Sequence, residues 1–328
     1  MQLVLNTNGL VMKVKDKVFY VTDGKEHRKI SPEQVDSVAV TAPCLISSAA
    51  IMLAADAGIP IYFFDRFGEG RSSLRSPWFD SIATLRRKQV YFSDSVNGSQ
   101  WIIHVFQQKT AHQIQVLKYL ANRKKRMAKL LQKTIDHLQG EWSALDQQVK
   151  IPSAEWSASI MGWEGSMARV YWQCIGQCLP GEWSFNKRSR RPAKDPFNAM
   201  INYGYGMLYN KIEQALFAAG LDPHLGILHA DEYDSPTLSY DLIEVFRPWV
   251  DRLVIENILT GAAIQEGFEV SEEGVYLNAT GKRWFIPAFN AWLLARVRWN
   301  KKQLTREGHF YHAAAQLAKS INKENKRP

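Results

Sequence analysis

The spacing of apolar residues changes once along the chain, and this change constrains the fold more than any other feature. In the first ~85 residues apolar side chains alternate with polar ones, as at Leu3 and Leu5, which is typical of half-buried strands. After about residue 100 they recur every three or four positions, which is typical of helices. Turn-forming residues fill 93–99. The sequence therefore predicts a two-domain α+β fold.

The predicted domains are a small β-rich, sandwich-like N-terminal domain at 1–86, a linker at 87–99 and a larger all-α domain at 100–328. In the first, Lys15-Asp16-Lys17 predicts a hairpin turn between two valine-rich runs. The run SSAAIMLAADA has helical spacing and predicts a short helix ended by Gly58.

In the second domain the apolar period predicts a series of helices and one short hairpin. The helices lie at 101–138 (as one helix or two), 160–179, 196–219, 238–260 and 287–302, and the hairpin is VYLNATGKRWF at 275–285.

Composition excludes several classes of protein. The N-terminus lacks a basic region followed by an apolar run, and no uncharged apolar stretch approaches the length that crosses a bilayer. Three cysteines do not form a disulfide framework, and further zinc ligands are not evident near Cys174 and Cys178. We therefore expect a soluble, cytoplasmic protein with no membrane partner.

The net charge of +9 favours a polyanionic partner. Basic residues cluster at 86–88, 123–129, 187–194 and in the tail from Lys319. These blocks could be solvated helix faces or could bind phosphates. Aromatic residues beside basic ones, as in the run RVRW at 296–299, favour nucleic acid.

One acidic stretch, LHADEYDSPTLSYDLIEVFRPWVD, suggests a site. Asp241 and Glu244 lie three apart on a predicted helix, so their carboxylates are neighbours that repel unless a positive charge compensates. Arg247 and Arg252 could supply that charge. A divalent cation with His229 as a third ligand could also do so, and this ligand set suits Mg²⁺ or Mn²⁺. Both interpretations remain open.

Two other acidic residues need an explanation. Glu164, in IMGWEGSMARVYW, has small neighbours that allow another helix to approach closely, or it could be an exposed glutamate at a helix start. Asp251, at the end of the acidic stretch, is expected to pair with a nearby arginine.

A basic loop at 187–194 leads into a helix that begins at Asp195-Pro196. The loop could bind a phosphate backbone or could be a solvated linker.

Short motifs occur in one order along nearly the whole chain. They are Val35-Asp36-Ser37, Gly58-Ile59-Pro60, Lys109 with Gln113, Glu164-Gly165, Arg191-Pro192, Leu228-His229, and SYDLIE at 239–244 followed by Phe246-Arg247-Pro248. In this order they resemble the CRISPR-associated integrase family, the catalytic subunit of the spacer-acquisition complex. Each motif is weak alone, but their joint order is specific.

The resemblance implies a metal site of Glu164, His229 and Glu244, with Asp241 as a further catalytic carboxylate and Mg²⁺ or Mn²⁺ as the cofactor. It also implies that the N-terminal domain dimerises, so that the chain is a homodimer, and that a small ferredoxin-like CRISPR adaptation subunit is a partner. The substrate would be double-stranded DNA, with the 3′-OH ends of short prespacers joined into the CRISPR repeat. The expected DNA contacts are Arg169, Lys187, Arg188, Arg190, Arg191, Asn198 and Arg247.

Three functions therefore compete. The leading hypothesis is a metal-dependent DNA integrase or endonuclease of CRISPR adaptation that works by transesterification. The second is a metal-dependent nuclease on branched DNA, which would use the same residues. The third is a nucleic-acid-binding scaffold without catalysis, in which the acids only pair with arginines.

Overall fold

The structure is a computed structural model that describes residues 2–35, 37–65, 70–74, 83–145, 157–190, 192–229 and 235–323. Its N-terminal part is built from strands and the remainder mainly from helices, which confirms the predicted two-domain α+β fold.

Two four-stranded sheets make up the N-terminal part. Their strands are β1 (Gln2–Leu5), β2 (Leu10–Lys15), β3 (Val18–Thr22), β4 (His27–Ile30), β5 (Ser37–Val40), β6 (Cys44–Ile46), β7 (Ile61–Phe64) and β8 (Gly70–Leu74). One sheet has the order β1-β5-β7-β8 and the other β4-β3-β2-β6. Side chains from both sheets share one core, in which Leu5, Met12, Phe19, Val38 and Ile61 are at most 1% exposed. The sandwich-like packing is therefore confirmed.

The predicted hairpin turn and the predicted short helix of this part are both confirmed. Asp16 and Lys17 have positive φ angles of 56° and 59° between the paired strands β2 and β3, as tight hairpin turns require. Helix α1 (Ser48–Asp56) begins where the Ser47 side chain accepts a hydrogen bond from the Ala50 N–H, and Gly58 follows its end with a φ of 67°.

The remaining helices are α2 (Ala83–Ser93), α3 (Val96–Arg123), α4 (Ala128–Leu145), α5 (Ser157–Cys178), α6 (Pro196–Ala218), α7 (Thr237–Ile243), α8 (Arg247–Leu259), α9 (Ala279–Leu294) and α10 (Arg306–Lys323). Helix α3 packs against α4, α5, α7 and α8, and α6 packs against α7, α8 and α10. The long helix α3 thus lies beside every helix that carries a predicted acidic site residue.

The helix predicted at 238–260 is two helices. Helix α7 ends at Ile243 and α8 begins at Arg247, with Pro248 in its first turn. Proline has no N–H to donate to the preceding turn, so the α-helical hydrogen bonding stops there. Glu244 lies in this break, where its side chain reaches Lys109 of α3.

The segment predicted as a linker, 87–99, is largely helical. Helix α2 runs through its first part, and α3 begins at Val96. Leu85 and Phe92 of α2 are buried in the helical core, and Ser95 caps α3 by accepting from the Gly98 N–H at 3.1 Å. The turn-forming residues therefore serve as a helix cap. The division into domains at 1–86 and 100–328 stays a prediction.

The predicted hairpin at 275–285 and the helix at 287–302 are misplaced. Strand β10 (Gly274–Leu277) instead pairs with β9 (Phe268–Ser271), and Asn278 caps α9, which continues through Pro287. A second hairpin, β11 (Arg296–Trp299) with β12 (Lys302–Thr305), follows. None of the helices described is both long and apolar enough to pass through a bilayer.

Candidate active site

Two acidic side chains from different parts of the helical core meet at one lysine. Glu164 lies on α5, Glu244 in the break between α7 and α8, and Lys109 on α3. The Lys109 ammonium contacts Oε1 of Glu164 and lies 2.6 Å from Oε2 of Glu244. The other oxygen of Glu244, Oε1, contacts the guanidinium of Arg247. The Glu164 side chain thus reaches another helix, as one interpretation predicted, but Gly162 and Gly165 beside it face open space, so small neighbours are not the reason for the contact.

The contacts decide the protonation of this cluster. Burial alone would raise the pKa of Glu244, but the charges of Arg247 and Lys109 outweigh burial and lower the pKa to about 2. Burial alone would lower the pKa of Lys109, but the charges of Glu244 and Glu164 raise it above its ordinary value. Glu244 and Lys109 are therefore both ionised at neutral pH.

His229 is held by Asp241. The loop that carries His229 folds over α7, and Oδ2 of Asp241 accepts from the N–H groups of Ile227 and Leu228 at 2.7 and 3.1 Å. Oδ1 of Asp241 lies 2.7 Å from Nδ1 of His229. Because a carboxylate only accepts, Nδ1 carries the proton and Nε2 is left for another partner. Asp241 therefore orients His229.

The donor chemistry of these residues suits Mg²⁺ or Mn²⁺. Two carboxylates and one imidazole, with water in the other positions, match the preferences of these ions. A histidine whose Nδ1 is tied to a carboxylate is a common metal ligand. Within the described ranges, however, no three His, Cys, Asp or Glu side chains are gathered as an ion would require. Lys109 lies between Glu164 and Glu244.

Asp251 has different partners from those predicted. It is 1% exposed on α8, and its carboxyl accepts hydrogen bonds from the hydroxyls of Tyr205 at 2.5 Å and Tyr171 at 3.0 Å. Burial raises its pKa to about 7, and the hydrogen bonds from Tyr205 and Tyr171 oppose the rise only in part. The direct partners are therefore tyrosines on α5 and α6 rather than the expected arginine, and Arg188 acts on this carboxyl only through its nearby charge.

The basic loop is fastened to α6. Arg188 contacts Oδ1 of Asn198, donates to Asn202 at 2.8 Å and lies over the rings of Trp172 and Tyr205. Asn198 is fully buried and donates to the carbonyl of Lys187 at 3.1 Å. Asn198 therefore shapes the loop rather than presenting its amide at the surface, where direct DNA contact was predicted.

The other predicted DNA contacts differ in exposure. Arg169, Lys187 and Arg190 are exposed, while Arg247 is bound to Glu244 and partly buried. Arg191 lies outside the described residues.

Two openings reach the acidic cluster. One is a cavity of about 250 Å³ lined by Lys109, Glu164, Arg188 and Asp251, among others. The other is a groove of about 1270 Å³, into which Glu164, His229 and Glu244 all open, together with Arg71, Ser72 and Ser73 of β8. The predicted ligands thus share one open, basic groove, which is bordered by helices and by strands β7 and β8.

The sequence reasoning missed the roles of Lys109 and His112. The motif that contains Lys109 gives it no role, although a lysine on the apolar stripe of α3 that includes Phe106 and Val116 is itself a signal of a buried ion pair. His112, also on α3, donates from Nδ1 to the carbonyl of Val245 at 2.8 Å. It therefore holds the backbone next to Glu244.

Comparison with known proteins places the chain among CRISPR-associated proteins. The family model described as CRISPR associated protein Cas1 matches residues 3–291. A CRISPR-associated endonuclease Cas1 from Saccharolobus solfataricus is 30% identical over 279 residues, which are 83% of this chain and 78% of the relative. Another from Archaeoglobus fulgidus is 32% identical over 273 residues, 79% of this chain and 78% of the relative.

Solved structures share the fold. A casposase bound to integration product superposes with a TM-score of 0.83 at 24% identity, over 99% of this chain and 92% of that chain. A Cas6-RT-Cas1–Cas2 complex gives 0.80 at 24% identity, over 99% of this chain and 35% of that chain. With a family model that spans most of its length and relatives of at least 30% identity, the chain belongs to the Cas1 family of CRISPR-associated proteins.

Proposed function

We propose that the chain is a metal-dependent DNA integrase of CRISPR adaptation, which joins the 3′-OH ends of short DNA into the CRISPR repeat. The observation that carries this proposal is the meeting of Glu164 and Glu244 at one cation-binding point, in a groove that also holds the oriented His229. Further support comes from a structural neighbour described as a casposase bound to integration product.

Each residue has a defined task in this reaction. Glu164, Glu244 and Nε2 of His229 would hold Mg²⁺ or Mn²⁺, and Asp241 keeps His229 in the required tautomer. The bound ion would supply Lewis-acid stabilisation of the charge that develops on the phosphate. The exposed Arg190 and Lys187 would bind DNA phosphates, so affinity should fall with added salt.

The strand-transfer reaction forms one phosphodiester bond and breaks another, and it needs no other reactant. The 3′-hydroxyl oxygen of the incoming strand forms a new bond to phosphorus, and the bond from that phosphorus to the 3′-oxygen of the target strand breaks. The proton of the attacking hydroxyl ends on the departing 3′-oxygen through solvent. One phosphodiester replaces another, so no external energy source is needed.

We further propose that the chain acts as a homodimer through its N-terminal domain and works with a small ferredoxin-like subunit. A structural neighbour is described as a complex that contains Cas1 and Cas2, which supports a partner of this kind. Light scattering of the protein alone and with that subunit tests both parts.

A hydrolytic function is the second candidate, because the curated relatives are described as endonucleases. Water in place of the 3′-hydroxyl would then cut branched DNA at the same site. The scaffold hypothesis accounts for the pairing of Glu244 with Lys109 and Arg247, but it gives no reason for a buried carboxylate that orients His229 towards the groove.

One experiment separates these functions. The protein is incubated with Mn²⁺, a repeat-bearing target and short duplexes that end in either a 3′-hydroxyl or a 3′-deoxy group. We expect joined products only from the 3′-hydroxyl duplex, whereas cutting of the target with both duplexes favours the nuclease. Joining should be abolished by each of Glu164→Ala, His229→Ala and Glu244→Ala. Full joining by all three variants would contradict the assignment of these residues to the site.

A further inference from the structure

The ammonium of Lys109 occupies the space between two of the three proposed metal ligands. It contacts Glu164 and lies 2.6 Å from Glu244, and the residue is only 7% exposed. A buried lysine is costly unless carboxylates compensate its charge. The reverse also holds, because Glu164 and Glu244 would repel each other without a cation between them.

We infer that Lys109 is an internal counter-ion that takes the place of the divalent cation in the metal-free protein and competes with it for Glu164 and Glu244. This inference rests on the proposed metal site. In the metal-free state Lys109 holds the two acidic side chains together, and when the ion binds its ammonium moves away from them.

Competition follows from the contacts of the carboxylates. Mg²⁺ binds oxygen at roughly 2.0–2.1 Å, so an ion on Oε2 of Glu244 would lie within about 5 Å of an ammonium that is 2.6 Å from the same oxygen. Like charges at such a distance repel strongly in a buried site. The ion and the Lys109 ammonium therefore compete for the same carboxylate oxygens.

Arg247 does not compete in the same way. It begins α8, its guanidinium lies 5.2 Å from the centre of the Tyr205 ring, and it contacts the opposite oxygen of Glu244. Its place is fixed by the helix and by the ring. The flexible stem of Lys109 allows its ammonium to move.

The structure provides space for the displaced ammonium. The cavity of about 250 Å³ begins at Lys109 and Glu164 and extends to Asp251 and Gln113. Gln113 offers an acceptor within this cavity, whereas both oxygens of Asp251 already accept from tyrosine hydroxyls. Lys109 can therefore leave the glutamates without losing every polar partner. The cavity also borders the basic loop, and the lysine therefore moves towards the surface proposed for DNA phosphates.

Mn²⁺ binding to the full-length protein tests the inference. Free Mn²⁺ is followed by electron paramagnetic resonance in the unaltered protein and in Lys109→Met and Lys109→Gln. The glutamine variant keeps polar contacts to both carboxylates and serves if the methionine variant does not fold. Because a competing buried charge is removed, the Kd for Mn²⁺ should fall by about tenfold or more, and the metal-free Tm should fall as well.

Lys211→Met is the matched control. Lys211 is 3% exposed and lies 2.7 Å from Glu307, away from the proposed ligands. Its replacement should lower the Tm and leave the Kd for Mn²⁺ unchanged.

The outcomes separate this inference from the proposed function. An unchanged or higher Kd in the folded Lys109 variants overturns the inference while Mn²⁺ binding itself stands. If Glu164→Ala and His229→Ala bind Mn²⁺ as tightly as the unaltered protein, the proposed metal site is wrong, whatever the Lys109 variants do.

Discussion

Glu244 and Asp251 are buried carboxyl groups on either side of the start of α8, yet their surroundings are opposite. Glu244 is 5% exposed between the cations of Lys109 and Arg247. Asp251 is 1% exposed between two tyrosine hydroxyls. Burial raises the pKa of both, but only around Glu244 do neighbouring charges reverse the effect.

The difference shows how neighbours assign tasks to chemically similar groups. A carboxylate compensated by full positive charges stays ionised after burial and can exchange one cation for another. A carboxyl whose hydrogen-bond partners are phenols, with cations acting only through their nearby charge, retains its proton up to about neutral pH. We therefore assign cation binding to Glu244 and a structural task to Asp251.

The largest expected effect is on the rate of strand transfer, when Glu244 or Asp251 is replaced by the neutral amide of the same size. Glu244→Gln should lower the rate of strand transfer by about a thousandfold or more, because metal assistance contributes several kcal/mol to such reactions. Asp251→Asn keeps the size of its side chain and should change the rate by less than about tenfold. Single-turnover joining assays measure both. Equal losses of strand-transfer rate in the two variants would contradict the assignment of different tasks to Glu244 and Asp251.

The second effect concerns stability and pH. The pKa of Asp251 is about 7 in the folded protein and 3.8 without the fold, so the folded state binds its proton more tightly. The resulting stability is fully present below pH 3.8 and is lost as the pH rises through about 7. Its full size is on the order of 4 kcal/mol.

Asp251→Asn should remove this loss between about pH 4 and 7, as measured by urea unfolding at several pH values. Glu244 acts in the opposite direction, because its lowered folded pKa of about 2 gives stability above its ordinary 4.5 that is lost on acidification. An Asp251→Asn variant with the same pH slope as the unaltered protein would contradict the assignment.

The third effect concerns a further buried carboxylate, Asp241. In Asp241→Asn the amide nitrogen must face either the N–H groups of Ile227 and Leu228 or Nδ1–H of His229, so one donor meets another. Mn²⁺ affinity should fall by about 10- to 100-fold. Unchanged affinity would show that His229 needs no orienting group. Circular dichroism checks that the variant is folded.

The smallest effect comes from Tyr205→Phe, which removes one hydrogen bond to Asp251. We expect a loss of about 1–2 kcal/mol in the free energy of unfolding and no change in Mn²⁺ affinity. Tyr171→Phe is the matched change on the other carboxyl oxygen. A change in Mn²⁺ affinity in either variant would link the two regions that we separate.

Local signals in the sequence were sufficient for much of this account. The hairpin turn at Lys15-Asp16-Lys17 and the end of α1 at Gly58 each depend on residues close together in the chain. The same kind of reasoning failed at Asn278, because a cap for α9 and a hairpin turn use similar residues. Only tertiary packing distinguishes them, and there Gly281 lies tightly against Gly267.

The partners of the site could not be predicted in this way. Lys109 is far from Glu164 and Glu244 in sequence and meets them only because α3 packs against α5, α7 and α8. The phenols that surround Asp251 likewise come from α5 and α6. The sequence shows which residues of the site are acidic, but their protonation at neutral pH depends on these neighbours, which are distant in the chain.

A titration with Mn²⁺ of the unaltered protein, Glu244→Gln and Asp251→Asn, followed by electron paramagnetic resonance, tests the central claim most directly. We expect the unaltered protein and Asp251→Asn to bind Mn²⁺ with the same Kd, and Glu244→Gln to lose this binding. Retained binding in Glu244→Gln together with its loss in Asp251→Asn would contradict the assignment of cation binding to Glu244.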